Sequence, residues 1–186
     1  MNNEFTLFVG PMFGGKTTKL LSAIDRYTYQ GRNILAFKPN VDERYSKEEI
    51  VTHWGGKLSA KRIGDGKELL RYLREATAWQ EEDETFVIAV DEAFMIDGVG
   101  EVLVSLFKEG HTILASSLQL SSDFTPYKEM QEMMPYATKI EVCPAVCSTC
   151  GLDAHYTKKI GGRSDHQIEV GGSEMYQPKC FLHFNP

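Results

Sequence analysis

The chain has 186 residues, a net charge of -6, 42% hydrophobic residues and 25% charged residues. The length fits one domain with at most a small appendage, and the composition excludes an intrinsically disordered or collagen-like chain. The acidic balance argues against a protein that grips a nucleic-acid backbone, because such proteins carry a basic face. No stretch approaches the roughly 18 apolar residues of a membrane span, so we expect a cytoplasmic protein that acts without a membrane or a nucleic acid.

The first half of the chain begins with a strand, a loop and a helix. Residues 5–9 form a short apolar run before a glycine-rich turn, and residues 16–30 carry apolar side chains at helical spacing. A second apolar run at residues 33–38 predicts a second buried strand. Residues 40–60 are polar and show no sustained period, and we expect one short strand near residues 57–63.

The second half continues this alternation. Residues 85–90 are apolar after the first position and are followed by two carboxylates, as expected of a parallel strand covered on both faces. The other predicted elements are helices at residues 67–79, 99–109 and 127–134 and strands at residues 112–115 and 138–142. The alternation predicts an α/β fold, with a mostly parallel sheet flanked by helices, for residues 1–142. From residue 143 onward the chain is glycine-rich, contains all four cysteines and lacks a long helix.

A phosphate-binding motif lies between the first predicted strand and the first predicted helix. Residues 10–17, GPMFGGKT, match the pattern G-x-x-x-x-G-K-[ST] in the context that the motif requires. Main-chain N–H groups of such a loop surround phosphate oxygens, its lysine reaches the transferred group and its hydroxyl ligates magnesium. A chance glycine-rich turn matches in roughly one chain of this size in a hundred, so we predict ATP and Mg²⁺ as cofactors. The predicted nucleotide-binding residues are Gly10, Met12, Gly14, Gly15, Lys16, Thr17, Thr18 and Asp91.

Two carboxylates follow the predicted strand at residues 85–90. Asp91 occupies the position of the acid that holds magnesium in P-loop proteins, usually through water. Glu92 is then available as a general base that takes the proton of an acceptor hydroxyl. The alternative is that the two carboxylates are solvated side chains at the end of a strand and have no chemical role. This alternative fits Glu92 better than it fits Asp91.

Two pairs of residues near the end of the chain have metal-ligand spacing. Cys147 and Cys150 form a Cys-x-x-Cys pair, and Cys180 and His183 repeat the spacing about thirty residues later. Together they predict a closed, tetrahedral structural zinc site. A redox Cys-x-x-Cys is the alternative, but it leaves the second pair unexplained. Cys143 has an unsuitable spacing, and we interpret it as a buried free cysteine.

The motifs together resemble those of the type II thymidine kinase family over nearly the whole chain. Besides the phosphate loop, Asp91-Glu92-Ala93 is similar to the family's Asp-Glu-Ala/Gly step, whose glutamate is the catalytic base. The segments that resemble further family motifs are DERY at 42–45, TH at 52–53, the Cys147 knuckle, AHYTKK at 154–159 and VGGSEMY at 170–176. The resemblance implies a P-loop ATP-binding kinase core at residues 1–142 and a zinc-binding lasso lid at residues 143–186.

The resemblance also implies a substrate, an assembly and a set of site residues. It predicts thymidine as the acceptor, a homotetramer, and inhibition by the end product dTTP. The predicted catalytic residues are Lys16, Glu92 and Arg163, the last from the lid loop. The predicted nucleoside-binding residues are Met12, Arg44, Phe94, Met95, Phe124, Thr157, Val170, Gly172 and Tyr176.

Two segments depart from the family pattern. Phe94-Met95 stands where the family has Gln-Phe, and residues 118–124, LQLSSDF, depart from its Leu-Asp-x-x-Phe segment. We expect Phe124 to replace a pocket aromatic, and the departures leave open a nucleoside kinase of altered base specificity.

The sequence thus predicts an ATP:thymidine 5′-phosphotransferase that accepts deoxyuridine as a secondary substrate. One alternative is a DNA-handling P-loop ATPase that uses the cysteine pairs as a zinc ribbon, which the acidic balance disfavours. Another is a zinc-stabilised nucleotide sensor without catalytic activity. Only Glu92 and the lid segment favour a kinase over both alternatives.

Overall fold

The computed structural model of the chain describes residues 3–41, 49–51, 55–78, 84–161, 168 and 170–184. Its first eight strands are β1 (Phe5–Val9), β2 (Ile34–Pro39), β3 (Glu49–Val51), β4 (Lys57–Ser59), β5 (Lys61–Ile63), β6 (Val87–Val90), β7 (Thr112–Ser117) and β8 (Lys139–Val142). Six of them form one sheet in the order β5-β2-β6-β7-β1-β8. The pairings described within this sheet are all parallel, so the predicted α/β class is confirmed.

Helices cover both faces of the sheet. They are α1 (Lys16–Tyr29), α2 (Gly66–Thr77), α3 (Val99–Lys108) and α4 (Lys128–Met133). Helix α1 packs through Leu20 and Ile24 on the face that carries Ala89, whereas α2, α3 and α4 cover the face that carries Val90. Successive strand residues point to opposite faces, so a strand buried on both faces needs a continuous apolar run. The sequence of β6, VIAV, is such a run.

The chain after β8 folds into small antiparallel pairs. Strand β9 (Ala145–Val146) pairs with β10 (Asp153–Ala154), and β11 (Tyr156–Lys159) pairs with β12 (Tyr176–Lys179) before the short helix α5 (Phe181–Phe184). The N–H of Ser148 donates to the carbonyl of Pro178 at 3.1 Å and joins the two pairs. Among the described residues of this segment, Ala145, Cys147 and Ala154 form a three-residue buried apolar cluster.

The structure divides one predicted strand into two. Residues 57–63 were expected to form a single strand, but β4 pairs with β3 in a separate antiparallel pair, while β5 joins the edge of the main sheet. The chain passes from one sheet to the other at the buried Ala60. A seven-residue polar segment carries no local signal for such a change, because strand pairing is decided by distant partners.

Within the residues that the structure describes, no helix has the length and apolar character needed to cross a membrane.

Candidate active site

The phosphate loop connects β1 to α1 at the carboxyl edge of the sheet. Its glycines are required by space as well as by backbone conformation. A Cβ at Gly10 or Gly14 would lie 2.2 Å from the carbonyl oxygen of Cys143, and Gly15 has φ +74°, a region that side chains disfavour. The loop is therefore a cradle of main-chain groups at the N-terminus of α1, which suits phosphate oxygens.

Lys16 is held inside this cradle. Its Nζ donates a 2.7 Å hydrogen bond to the carbonyl oxygen of Pro11, and the side chain is buried. The ammonium group thus lies over the loop, where a bound phosphate would meet it.

The residues predicted to hold magnesium meet beside the loop. Oγ1 of Thr17 lies 3.1 and 3.2 Å from the two carboxylate oxygens of Asp91, and the hydroxyl of Ser116 donates to Oδ1 of Asp91. Burial, reinforced by the neighbouring Glu92, raises the pKa of Asp91 to about 6, against the opposing effect of these hydrogen bonds and Lys16. A divalent cation at this position would supply the positive charge that the buried carboxylate lacks.

Glu92 stands at the junction of the loop and a neighbouring cleft. Its backbone is left-handed, with φ 50° and ψ 46°, a conformation that costs a non-glycine residue about 1–2 kcal/mol. The turn is stabilised on one side by the N–H of Met95, which donates to the carbonyl of Glu92 at 3.0 Å. On the other side, the N–H of Glu92 donates to Oγ of Ser116 at 3.2 Å. The turn places Glu92 in the lining of the cleft.

The cleft and the solvent space at its mouth together occupy about 430 Å³. Aromatic residues and methionines account for five of the ten described residues that line the cleft. The rings of Phe94 and Tyr127 contact each other at a centroid distance of 4.6 Å. Burial, with the nearby Tyr176, raises the pKa of Tyr127, so its phenol stays neutral and able to donate a hydrogen bond. The lining residues are Met12, Glu92, Phe94, Met95, Leu118, Ser122, Tyr127, Thr157, Gly171 and Tyr176.

Most of the predicted nucleoside-binding residues converge on this cleft, and some do not. Those in its lining are Met12, Phe94, Met95, Thr157 and Tyr176, together with the predicted base Glu92. Val170 and Gly172 flank the lining residue Gly171. Arg44 and Arg163, like the DERY and TH segments, lie outside the described residues.

Phe124 occupies a different place from the one expected of a pocket aromatic. It is absent from the described cleft lining, and its ring stacks on Tyr156 at 5.2 Å and contacts Phe184 at 5.1 Å. Tyr127, three residues further along, provides the ring in the cleft instead. Phe124 therefore joins the loop after β7 to the segment that carries the cysteines.

Sequence reasoning missed Leu118, Ser122 and Tyr127 in the cleft and Ser116 beside Asp91. The first three follow β7 on one loop, and Ser116 lies at the end of β7 itself. The carboxyl ends of adjacent parallel strands meet at one edge of the sheet. The position of β7 next to β6 would have indicated them, but strand order is not visible in the sequence.

The predicted zinc ligands form a cluster. The ligand atoms of Cys147, Cys150, Cys180 and His183 all lie within 4.8 Å of one another. The separation is 3.8 Å between the sulfurs of Cys150 and Cys180, and 3.2 Å between the sulfur of Cys180 and Nδ1 of His183. A tetrahedral zinc with Zn–S bonds of about 2.3 Å sets its sulfurs about 3.8 Å apart, so the group fits zinc. Cys143 lies outside this group and is buried next to the phosphate loop.

Comparison with known protein families adds an independent finding. The chain matches the family model described as thymidine kinase over residues 3–184. A match over nearly the whole chain shows that it belongs to the thymidine kinase family. Membership supports thymidine kinase function, with ATP and thymidine as substrates, and the predicted family and kinase activity are confirmed.

Proposed function

We propose that the protein catalyses transfer of the γ-phosphoryl group of ATP to the 5′-hydroxyl of thymidine, giving dTMP. The observation that carries this proposal is the position of Glu92. It follows Asp91, which contacts Thr17 of the phosphate loop, and it lines the cleft that also holds Phe94 and Tyr127. A carboxylate between a phosphate site and an apolar cleft is suited to a reaction that joins their two ligands.

The phosphate loop supplies charge neutralisation and positioning for the transferred group. The main-chain N–H groups of residues 13–17 would surround the phosphates, and Lys16 would exchange its contact with Pro11 for a phosphate oxygen. Thr17 and Asp91 would hold Mg²⁺, which supplies charge neutralisation when it is bound. Thr18 and Arg163 complete the proposed phosphate-binding set, Arg163 by bringing a second cation from the lid.

Glu92 acts as the general base in this proposal. Its carboxylate accepts the proton of the 5′-hydroxyl as the oxygen forms its bond to phosphorus, and the bond from phosphorus to the leaving ADP oxygen breaks. Lys16 stabilises the charge on the transferred group. Asp91 is deeper and is hydrogen-bonded on both sides, so it is less suited to accept this proton.

The cleft binds the nucleoside. Phe94, Tyr127 and Tyr176 provide ring surfaces for the base and sugar, and the sulfur-containing side chains Met12 and Met95 suit the methyl group of thymine. Burial of that methyl is worth on the order of 1 kcal/mol, so deoxyuridine is the secondary substrate. Arg44, Phe124, Thr157, Val170 and Gly172 remain in the proposed binding set, Phe124 through its packing on the lid.

The chain divides, in this proposal, into a kinase core at residues 1–142 and a zinc-bearing lid at residues 143–186. Cys147, Cys150, Cys180 and His183 would hold a structural zinc. The metal would stabilise a segment whose own apolar cluster is small, because a closed site contributes folding free energy directly.

The proposed assembly is a homotetramer inhibited by dTTP. Strand β8 supports self-association, since it ends the described sheet and exposes Ile140 and Val142 with 43% and 52% of their surface. An exposed apolar edge strand is a surface that another chain can cover. Feedback by dTTP is consistent with a cleft for thymidine next to a phosphate loop, because one molecule would occupy both.

Product identification tests the proposal. The protein is incubated with ATP, Mg²⁺ and a panel of nucleosides, and any monophosphate is identified by mass spectrometry. We expect dTMP from thymidine and less dUMP from deoxyuridine, with ATP hydrolysis unchanged by added DNA. Strong stimulation of ATP hydrolysis by DNA without any monophosphate would instead support the DNA-handling ATPase. ATP binding without turnover would support the nucleotide sensor.

A further inference from the structure

We propose that Ser116 is a positioning residue that holds the active-site residues Asp91 and Glu92 in their relative places. The inference rests on the proposed function, in which Glu92 is the general base. Ser116 lies in β7 and is fully buried. The register of β6 and β7 pairs Val90 with Ala115, so the next pair along the two strands is Asp91 and Ser116.

One hydroxyl group joins the two acidic residues. Oγ of Ser116 donates to Oδ1 of Asp91 and accepts from the backbone N–H of Glu92 at 3.2 Å. An ionised carboxylate only accepts hydrogen bonds and an amide N–H only donates them. The hydroxyl proton must therefore point to Asp91, while a lone pair faces Glu92. Each of these two hydrogen bonds can form in one direction only. The hydroxyl of Ser116 therefore holds the carboxylate of Asp91 and the backbone N–H of Glu92 in one relative arrangement.

This anchor matters because Glu92 has an unfavourable backbone conformation. A left-handed glutamate with φ 50° persists only where its surroundings hold it. The bond from Ser116 ties the backbone of Glu92 itself to β7, whereas the preceding residue is tied to β2 by the N–H of Asp91, which donates to the carbonyl of Phe37 at 3.0 Å. With the bond from Ser116 removed, the turn at Glu92 can relax toward an ordinary conformation and move the carboxylate of Glu92 from its place in the cleft. Displacement of a catalytic group by about 1 Å is enough to reduce turnover about a hundredfold.

The neighbouring Ser117 provides a matched control. It is also fully buried in β7, but its hydroxyl donates to the carbonyl of Leu118 at 3.0 Å. Successive residues of a strand face opposite sides of the sheet. Ser117→Ala therefore removes a buried hydroxyl of the same kind, from the same strand, without touching Asp91 or Glu92.

The kinetic test compares Ser116→Ala with Ser117→Ala. We expect Ser116→Ala to lower kcat by about 10- to 100-fold, the equivalent of one hydrogen bond to a charged group. The thymidine KM should change by less than about threefold, since the lining residues other than Glu92 keep their places. Ser117→Ala should keep kcat within about threefold of the parent. In the Glu92→Gln background, Ser116→Ala should have little further effect on kcat, because residues that act as a unit are non-additive.

Hydrogen exchange gives a readout that does not depend on activity. In the ligand-free protein, the amide of Glu92 should exchange at least about tenfold faster in Ser116→Ala than in the parent or in Ser117→Ala. Equal exchange rates in the two alanine variants would overturn the proposal. Equal loss of kcat in them, or full additivity with Glu92→Gln, would also overturn it. If the parent phosphorylates no nucleoside, the proposed function fails, and the exchange measurement still decides whether Ser116 anchors Glu92.

Discussion

The backbone N–H of Met12 donates a 2.9 Å hydrogen bond to Oγ1 of Thr157, which lies 145 positions later in the chain. Met12 belongs to the phosphate loop, and Thr157 belongs to β11 in the segment that carries the cysteines. Both residues line the cleft. The contact therefore connects the phosphate site, the cleft and the cysteine-bearing segment through one hydroxyl group.

Thr157→Val tests this connection. The substitution keeps the shape of the side chain but leaves the N–H of Met12 without its acceptor, at a cost of about 1–3 kcal/mol. We expect the thymidine KM to rise about tenfold, because the β11 wall of the cleft loses its attachment to the loop. Thr77→Val, which removes an exposed hydroxyl that donates to the carbonyl of Arg74 in its own helix, is the control. Unchanged kinetics in Thr157→Val would show that the contact has no role in nucleoside binding.

Elemental analysis tests the metal site. We expect about one zinc per chain in the parent and in Cys143→Ser, because Cys143 lies outside the ligand cluster. The double variant Cys147→Ser, Cys180→Ser should lose the zinc. Chelation should release the segment after β8 before the sheet unfolds, since this segment has little apolar area of its own. Full zinc content in the double variant would refute the site.

The sequence predicted the elements whose signal is local. The apolar run of β6 and the loop pattern at residues 10–17 predicted a strand and a strand–loop–helix unit that the structure contains, and the spacing of two residue pairs predicted the group of three cysteines and one histidine. Each of these signals lies within about eight consecutive residues or in a repeated short spacing.

The remainder of the site depends on tertiary structure. In the loop after β7, Leu120 forms a bridge with Pro126, and Phe124 adopts φ 67° inside the resulting turn. The turn directs Phe124 toward Tyr156 and leaves Tyr127 to enter the cleft. The sequence of this loop does not indicate whether Phe124 or Tyr127 enters the cleft, because the bridge between Leu120 and Pro126 decides which ring faces it.

A buried histidine predicts a loss of stability in mild acid. Nδ1 of His111 accepts from the N–H of Phe86 at 3.1 Å, and burial lowers the pKa of His111, although Glu109 partly opposes the shift. Below its ordinary pKa of 6.5, the unfolded chain therefore binds more protons at this residue than the folded chain. The contribution of His111 to the free energy of unfolding should fall as the pH is lowered from 7 toward 5, whereas Asp91, whose pKa is raised to about 6, contributes in the opposite direction.

Denaturant unfolding at pH 7, 6 and 5 checks this expectation. His111→Gln should be less stable at pH 7 and should show a smaller decrease of unfolding free energy with falling pH. His155→Gln, at an exposed histidine, should retain the parental pH dependence. The account of His111 is wrong if its variant loses as much stability between pH 7 and pH 5 as the parent does.

Nucleoside selectivity tests how the base is recognised. Thymine and cytosine present opposite hydrogen-bonding groups at two ring positions, and each mispaired buried group costs about 1–3 kcal/mol. We expect kcat/KM for deoxycytidine to be at least about a hundredfold below that for thymidine, and deoxyuridine to show a modest loss. Similar kcat/KM values for thymidine and deoxycytidine would mean that the cleft makes no selective hydrogen bonds to the two ring positions at which the bases differ.

The kcat of Glu92→Gln with saturating ATP and thymidine tests the central claim most directly, because Glu92 is the proposed base and lies in the cleft lining next to Asp91 of the phosphate site. The amide keeps the size of the side chain but cannot accept the proton in the same way. The account predicts a loss of about 10²–10⁴-fold in kcat, with thymidine affinity retained and with Glu75→Gln, at an exposed glutamate of α2, near the parental rate. A loss of less than about tenfold in Glu92→Gln would contradict the account.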